Sequence, residues 1–101
     1  MCEFKIIKQN DGIQVAEDVL VLKYNDQGEL EFSDVLGMGD KLSSALILEV
    51  NALPNKHSVT VLEAPLISEF IALVQKISTS EATKADIEEF QSKLDELKQN
   101  L

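Results

Sequence analysis

Over the first 64 residues, apolar and polar positions alternate in short runs separated by turn residues. Cys2, Phe4 and Ile6 alternate with Glu3, Lys5 and Ile7, the period-two pattern of a half-buried strand. Asn10-Asp11-Gly12 ends that run with residues that accept positive φ at little cost. A second β run is predicted from about Gln14 to Tyr24, centred on Val19-Leu20-Val21-Leu22. Asn25-Asp26-Gln27-Gly28 turns the chain again, and Leu30 and Phe32 alternate with Glu29, Glu31 and Ser33. Gly37-Met38-Gly39-Asp40 is the next break. Leu46, Leu48 and Val50 then alternate with Ile47 and Glu49, Pro54-Asn55-Lys56 turns, and Val59 and Val61 mark a last strand. Closely spaced short strands of this kind predict a mainly β domain over residues 1–64, a small barrel or strongly bent sheet of five or six strands.

The period changes at Pro65, a residue suited to the first turn of a helix. Leu66, Ile67, Phe70, Ile71, Val74 and Ile77 share one helical face, opposite Glu69, Gln75 and Lys76. Ser78-Thr79-Ser80 interrupts the pattern, and Ser78 or Ser80 is expected to cap a second helix beginning near Glu81. In that helix Ile87, Phe90, Leu94, Leu97 and Leu101 form a narrow heptad seam, and Glu89 and Lys93 stand at an i to i+4 ion-pair spacing. The seam either folds back on the preceding helix or pairs with another subunit; on either alternative its apolar residues are expected to be buried. Residues 65–101 therefore read as a C-terminal helical extension of the β domain.

Charge narrows the function. Nine basic residues, all Lys, stand against eighteen acidic ones, for a net charge of −9. An acidic chain without Arg lacks both the electrostatic footprint of a nucleic-acid binder and the planar fork that grips phosphate. No apolar run is long enough for a membrane span and the N-terminus has no signal pattern, so a cytoplasmic location is expected. With one Cys, an internal disulfide is impossible.

Catalysis finds little support. The only His is His57, in the Pro54–His57 turn, where a solvated surface residue is the expectation. Glu17, Asp18, Glu29, Glu31, Asp34 and Asp40 are scattered over strand ends and turns, without the spacing of a general acid and base. Gly37-Met38-Gly39 lacks a following phosphate-binding helix and reads as a turn or bulge. The chain is not expected to be an enzyme. Cys2 stands apart by position. As a strand residue it is a small buried hydrophobe. Beside the terminus, its sulfur, its backbone amide and the α-amino group close consecutive five-membered chelate rings, a donor set that favours a square-planar ion such as Ni(II). One chain supplies too few ligands to close such a site, whereas two Cys2 residues on the axis of a symmetric dimer complete it.

Met1-Cys2-Glu3-Phe4, the Glu17-Asp18-Val19 step, Asp34-Val35-Leu36-Gly37, and Ile47-Leu48-Glu49-Val50 followed by His57, Val59 and Val61 resemble the small nickel-binding CooT-type proteins. The resemblance covers residues 1–63 and leaves the helical extension outside it. It implies an SH3-like β-barrel, a homodimer, Cys2 as the metal ligand, and delivery of nickel to a client such as carbon monoxide dehydrogenase; because each chain offers one thiolate, one Ni(II) per dimer is expected. HypC-type metallocentre maturation chaperones also begin Met-Cys and join a small barrel to a C-terminal helix. Their cysteine is usually followed by a short apolar segment with Pro and Gly, where this chain has Glu3-Phe4-Lys5-Ile6. A protein-interaction module, with the helical extension as its contact surface, is the alternative from a different functional class.

Overall fold

The computed structural model describes residues 3–101. Phe4–Lys8 (β1) and Gln14–Val19 (β2) pair antiparallel around the predicted Asn10-Asp11-Gly12 turn. There the Asp11 carboxylate accepts the N–H of Ile13 at 3.0 Å. The turn is also tied to the last strand. Lys8 lies 3.4 Å from Asp11 and 3.3 Å from Glu63, and the Asn10 side-chain amide exchanges two 2.9 Å hydrogen bonds with the Glu63 backbone.

The run from Gln14 to Tyr24 is two strands rather than one. Asp18 takes φ +57°, and the pairing of β2 with β1 is irregular between Phe4 and Ile6. Beyond Leu20 the chain enters a second sheet: Val21–Tyr24 (β3), Leu30–Ser33 (β4) and Gly39–Leu42 (β5), in the order β3-β4-β5. The apolar stretch Val19–Leu22 thus serves two sheets. The Gly37–Asp40 break is shorter than expected, since Gly39 already opens β5. Ala45–Asn51 (β6) and Ser58–Glu63 (β7) complete the first sheet, ordered β2-β1-β7-β6, in which β1 and β7 run parallel. Seven strands in two sheets replace the five or six expected, and the described strands do not close into one barrel.

Ile6, Val19, Leu30, Ala45, Val59 and Val61 form the buried core, with Phe4, Leu22, Tyr24 and Phe32 among the half-buried residues around it. Tyr24 links the sheets at their edges. Its hydroxyl donates to the Ala45 carbonyl at 2.6 Å and accepts from the Ile47 N–H at 3.1 Å, satisfying backbone groups of the outer strand β6. Burial pushes its pKa above the usual tyrosine value, so the phenol stays neutral.

Two helices follow, α1 (Ile67–Ser78) and α2 (Lys84–Gln99). The first starts after Leu66, at φ +71°, rather than at Pro65, and has no cap from its own N-cap side chain. Instead the Ser44 hydroxyl oxygen accepts from the N–H groups of Ile67 and Ser68 at 3.2 and 3.3 Å while donating to the Ala64 carbonyl at 2.7 Å. The second helix is capped by Thr83 and not by Ser78 or Ser80. Thr83 and Asp86 form a reciprocal capping box, with bonds of 3.1 and 2.9 Å. Ser78 instead turns back to the Gln75 carbonyl, and Ser80 sits at φ +61°.

The helices form a hairpin, with Phe70 and Phe90 at a ring separation of 5.9 Å and the predicted Glu89–Lys93 ion pair at 3.6 Å. The hairpin does not bury its seam. No residue of either helix is buried, and Ile87 and Leu94 remain 39% and 45% exposed. The radius of gyration, 15.5 Å, exceeds the ~13 Å of a compact chain of this length, as expected when a hairpin lies beside a β unit rather than over it. No described helix is long and apolar enough to cross a membrane.

Candidate functional site

Cys2, the metal ligand expected from the sequence, lies outside the described residues. Its surroundings begin with Glu3, which is exposed, and Phe4, where β1 starts. β1 is an interior strand, so the chain enters the fold between β2 and β7. On one side Phe4 is paired with Val19; on the other, Lys5 is paired with Ser58, and its N–H donates to the His57 carbonyl at 3.0 Å.

His57 is therefore not the remote, solvated turn residue that the sequence predicts. It is half-buried, and its ring meets that of Phe4 edge-on at 5.6 Å and 73°. The turn residues explain the placement. Asn51 accepts from the N–H of Leu53 at 3.1 Å, and the Leu53 carbonyl accepts from the N–H groups of Lys56 and His57 at 2.8 and 3.2 Å. This tight turn leaves His57 at φ +42° just before β7 begins. The only imidazole of the chain thus stands beside Phe4, two residues along the chain from Cys2. The signal that joins them is the parallel β1–β7 register, which spans more than fifty residues and leaves no trace in local sequence.

The acidic residues serve the turns. Glu29 and Glu31 both accept from the Asn25 side-chain amide at 3.0 Å, and Glu29 also accepts from Lys41 at 3.0 Å. The Asn25 hydrogen bond, followed by the Lys41 ammonium, holds the Glu29 carboxyl below the usual glutamate range, so it remains ionised. A carboxylate whose ionised form is favoured by its hydrogen bonds is a poor general acid. Asp34 accepts from the N–H groups of Leu36 and Met38 at 2.9 and 3.0 Å, and Asp40 from that of Lys41 at 2.8 Å. Glu17 and Asp18 are exposed at the end of β2. Among the described residues no group of three or more His, Cys, Asp and Glu side chains is placed to hold a metal ion.

No family model matches the chain. Comparison with curated proteins likewise gives no match.

Proposed function

We propose that the chain is a non-enzymatic, cytoplasmic nickel-binding accessory protein that works as a homodimer and passes its metal to a nickel enzyme. The observation that carries this reading is the Met1-Cys2-Glu3-Phe4 start, which leads directly into an interior strand and resembles the CooT-type pattern. The donor set suits the ion: amine, amidate and thiolate on adjacent five-membered rings favour a square-planar d⁸ metal. With one thiolate per chain, the expected stoichiometry is one Ni(II) per dimer. The β half supports the same reading. Its two sheets are offset at Asp18–Leu20 and joined through Tyr24, an arrangement we read as an opened variant of an SH3-like barrel. The exposed hairpin face favours a second role beside this one, as an interaction surface.

Nickel titration of the wild type, Cys2→Ser and His57→Ala tests the proposal. A thiolate-to-nickel charge-transfer band that grows to half an equivalent per chain is the expected result. Both thiolate and amidate must be deprotonated, so binding should release protons and strengthen as pH rises past neutrality. Loss of the band only in Cys2→Ser supports a site built from the terminus alone. Loss in both variants supports a site that also uses the imidazole beside Phe4. Undiminished nickel affinity in Cys2→Ser overturns the reading.

A further inference from the structure

Asp11 and Gly12 form the only Asp-Gly step of the chain, which has no Asn-Gly step. An Asp followed by Gly has a reaction open to it. With no Cβ on the Gly to shield its nitrogen, that nitrogen attacks the Asp Cγ and closes a five-membered succinimide. The turn between β1 and β2 presents this pair to water, since Asn10, Asp11, Gly12 and Ile13 are all exposed. It also engages both reacting groups in other bonds. The Gly12 N–H donates to the Lys8 carbonyl at 2.8 Å, and the Asp11 carboxylate accepts the Ile13 N–H at 3.0 Å. The Lys8 ammonium stands 3.4 Å from the same carboxylate.

We propose that Asp11 is a modification site: it converts to isoaspartate through a succinimide with Gly12 when the β1–β2 turn opens, and the Lys8 and Asn10 contacts to β7 set how often that happens. Atoms balance with water as the only co-reactant. The protonated Asp11 carboxyl group and the Gly12 N–H together lose one water as the Cγ–N bond forms and a Cγ–O bond breaks. Water then adds to the ring. Attack at Cγ restores aspartate. Attack at the Asp11 backbone carbonyl carbon breaks its bond to the Gly12 nitrogen and leaves isoaspartate.

The closed turn opposes the first step in three ways. The Gly12 nitrogen must give up its hydrogen bond to Lys8 before it turns toward Cγ. The carboxylate must release the Ile13 N–H. It must also take up a proton, because an ionised carboxylate has no hydroxyl to expel. The Ile13 hydrogen bond, and after it the Lys8 ammonium, hold the Asp11 carboxyl below the usual aspartate range and so disfavour that proton. Lys8 is in turn held from β7, where Glu63 lies 3.3 Å away, and the Asn10 side-chain amide exchanges two 2.9 Å bonds with the Glu63 backbone. The last strand therefore helps to keep the turn closed, and local opening of these contacts exposes the reactive pair.

The product does not fit the turn it leaves. Isoaspartate runs the backbone through Cβ and Cγ, one atom longer, and carries its carboxylate on Cα. The bond from Ile13 and the pair with Lys8 both depend on the carboxylate in its present place. Each conversion therefore loosens the tie between the first hairpin and β7. The modification lies at the Lys8 end of β1, away from Phe4, and involves neither Cys2 nor a metal, so it stands apart from the nickel reading.

Ageing the full chain in heavy-oxygen water, native and unfolded in urea, tests the proposal. After digestion, the peptide containing residue 11 is resolved by reversed-phase chromatography, where the isoaspartyl form elutes apart and resists a protease that cuts before Asp. Isoaspartate carrying heavy oxygen, the mark of ring hydrolysis, is the expected product. Native wild type should form it roughly 10- to 30-fold more slowly than the unfolded chain, the effect of two hydrogen bonds that must open. Lys8→Met should raise the native rate roughly three- to fivefold, the upper range for a partly exposed ion pair. Asn10→Ala, which leaves the charges in place, should raise it too. Gly12→Ala should slow the reaction of the unfolded chain, because its Cβ shields the nitrogen. Native Lys8→Met and Asn10→Ala chains that both keep the wild-type rate overturn the proposal. So does a native wild type that isomerises as fast as the unfolded chain, or an unfolded chain that forms no isoaspartate at residue 11.

Discussion

Replacing Gly28 with Ala tests how the helical extension is held to the β half. Gly28 is buried in the turn between β3 and β4, at φ +78°. Two costs arise there. An L-residue in the left-handed region loses roughly 1–2 kcal/mol. The added Cβ would also overlap the Ser68 carbonyl oxygen and lie 2.7 Å from its carbon, so backbone, rather than a flexible side chain, has to move. Shifting the first turn of α1 breaks its bonds to the Ser44 hydroxyl and the Gln75–Asn25 bond, each worth about 1 kcal/mol. The expected total is about 3–5 kcal/mol. Gly12→Ala is the matched control: its φ is +75°, and an added Cβ meets nothing within 4 Å, so only the conformational cost of roughly 1–2 kcal/mol applies. Urea unfolding of the three proteins, followed by circular dichroism, gives the comparison. Equal destabilisation by the two substitutions would refute the claim that close backbone approach at Gly28 docks the hairpin.

Tyr24→Phe should cost about 1–3 kcal/mol in the same assay, because the Ala45 carbonyl and Ile47 N–H lose their partner at a half-buried sheet edge. Thr83→Ala should cost about 1 kcal/mol through loss of the capping box, while Ser80→Ala, predicted from sequence alone to remove a cap, should leave the cap intact. The N–H of Thr83, and then the Thr83 hydroxyl and the Lys76 ammonium, hold the Asp86 carboxyl below the usual aspartate range. The stabilisation is therefore present above the ordinary aspartate value and lost as pH falls through the depressed one. Acid titration of α2 helicity should show this loss in wild type and a smaller one in Asp86→Asn.

How much of this was legible in the sequence depends on the range of each interaction. The turns at Asn10–Gly12, Asn25–Gly28 and Pro54–Lys56 are local chemistry, and each occurs where its residues place it. Val19–Leu22 reads as one apolar strand because periodicity measures burial and not sheet membership; only the left-handed Asp18 and the bond from Leu20 to Ser33 divide it. The caps separate in the same way. The Thr83-x-x-Asp86 box is a local signal that outranks an isolated Ser, whereas the cap of α1 comes from Ser44, more than twenty residues earlier. At the candidate site, Cys2 stands out by its position in sequence, whereas the placement of His57 beside Phe4 arises from a parallel pairing between the first and last strands.

The heptad of α2 shows a different limit. Its 3–4–3–4 spacing identifies a face that requires a partner, and folding back on α1 is the nearest solution. Yet α1 must also serve the β half through Ser68 and Gln75, and in the groove between the helices Glu69, Lys76, Asp86, Glu89 and Lys93 stand beside Ala72, Leu73 and Phe90. Phe70 and Phe90 meet at a ring separation of 5.9 Å, with Phe70 still 52% exposed. A two-helix hairpin has one junction, and here charged side chains share it with Ala72, Leu73 and Phe90. The apolar stripes, Phe70, Val74 and Ile77 on α1 and Ile87 and Leu94 on α2, therefore remain partly exposed.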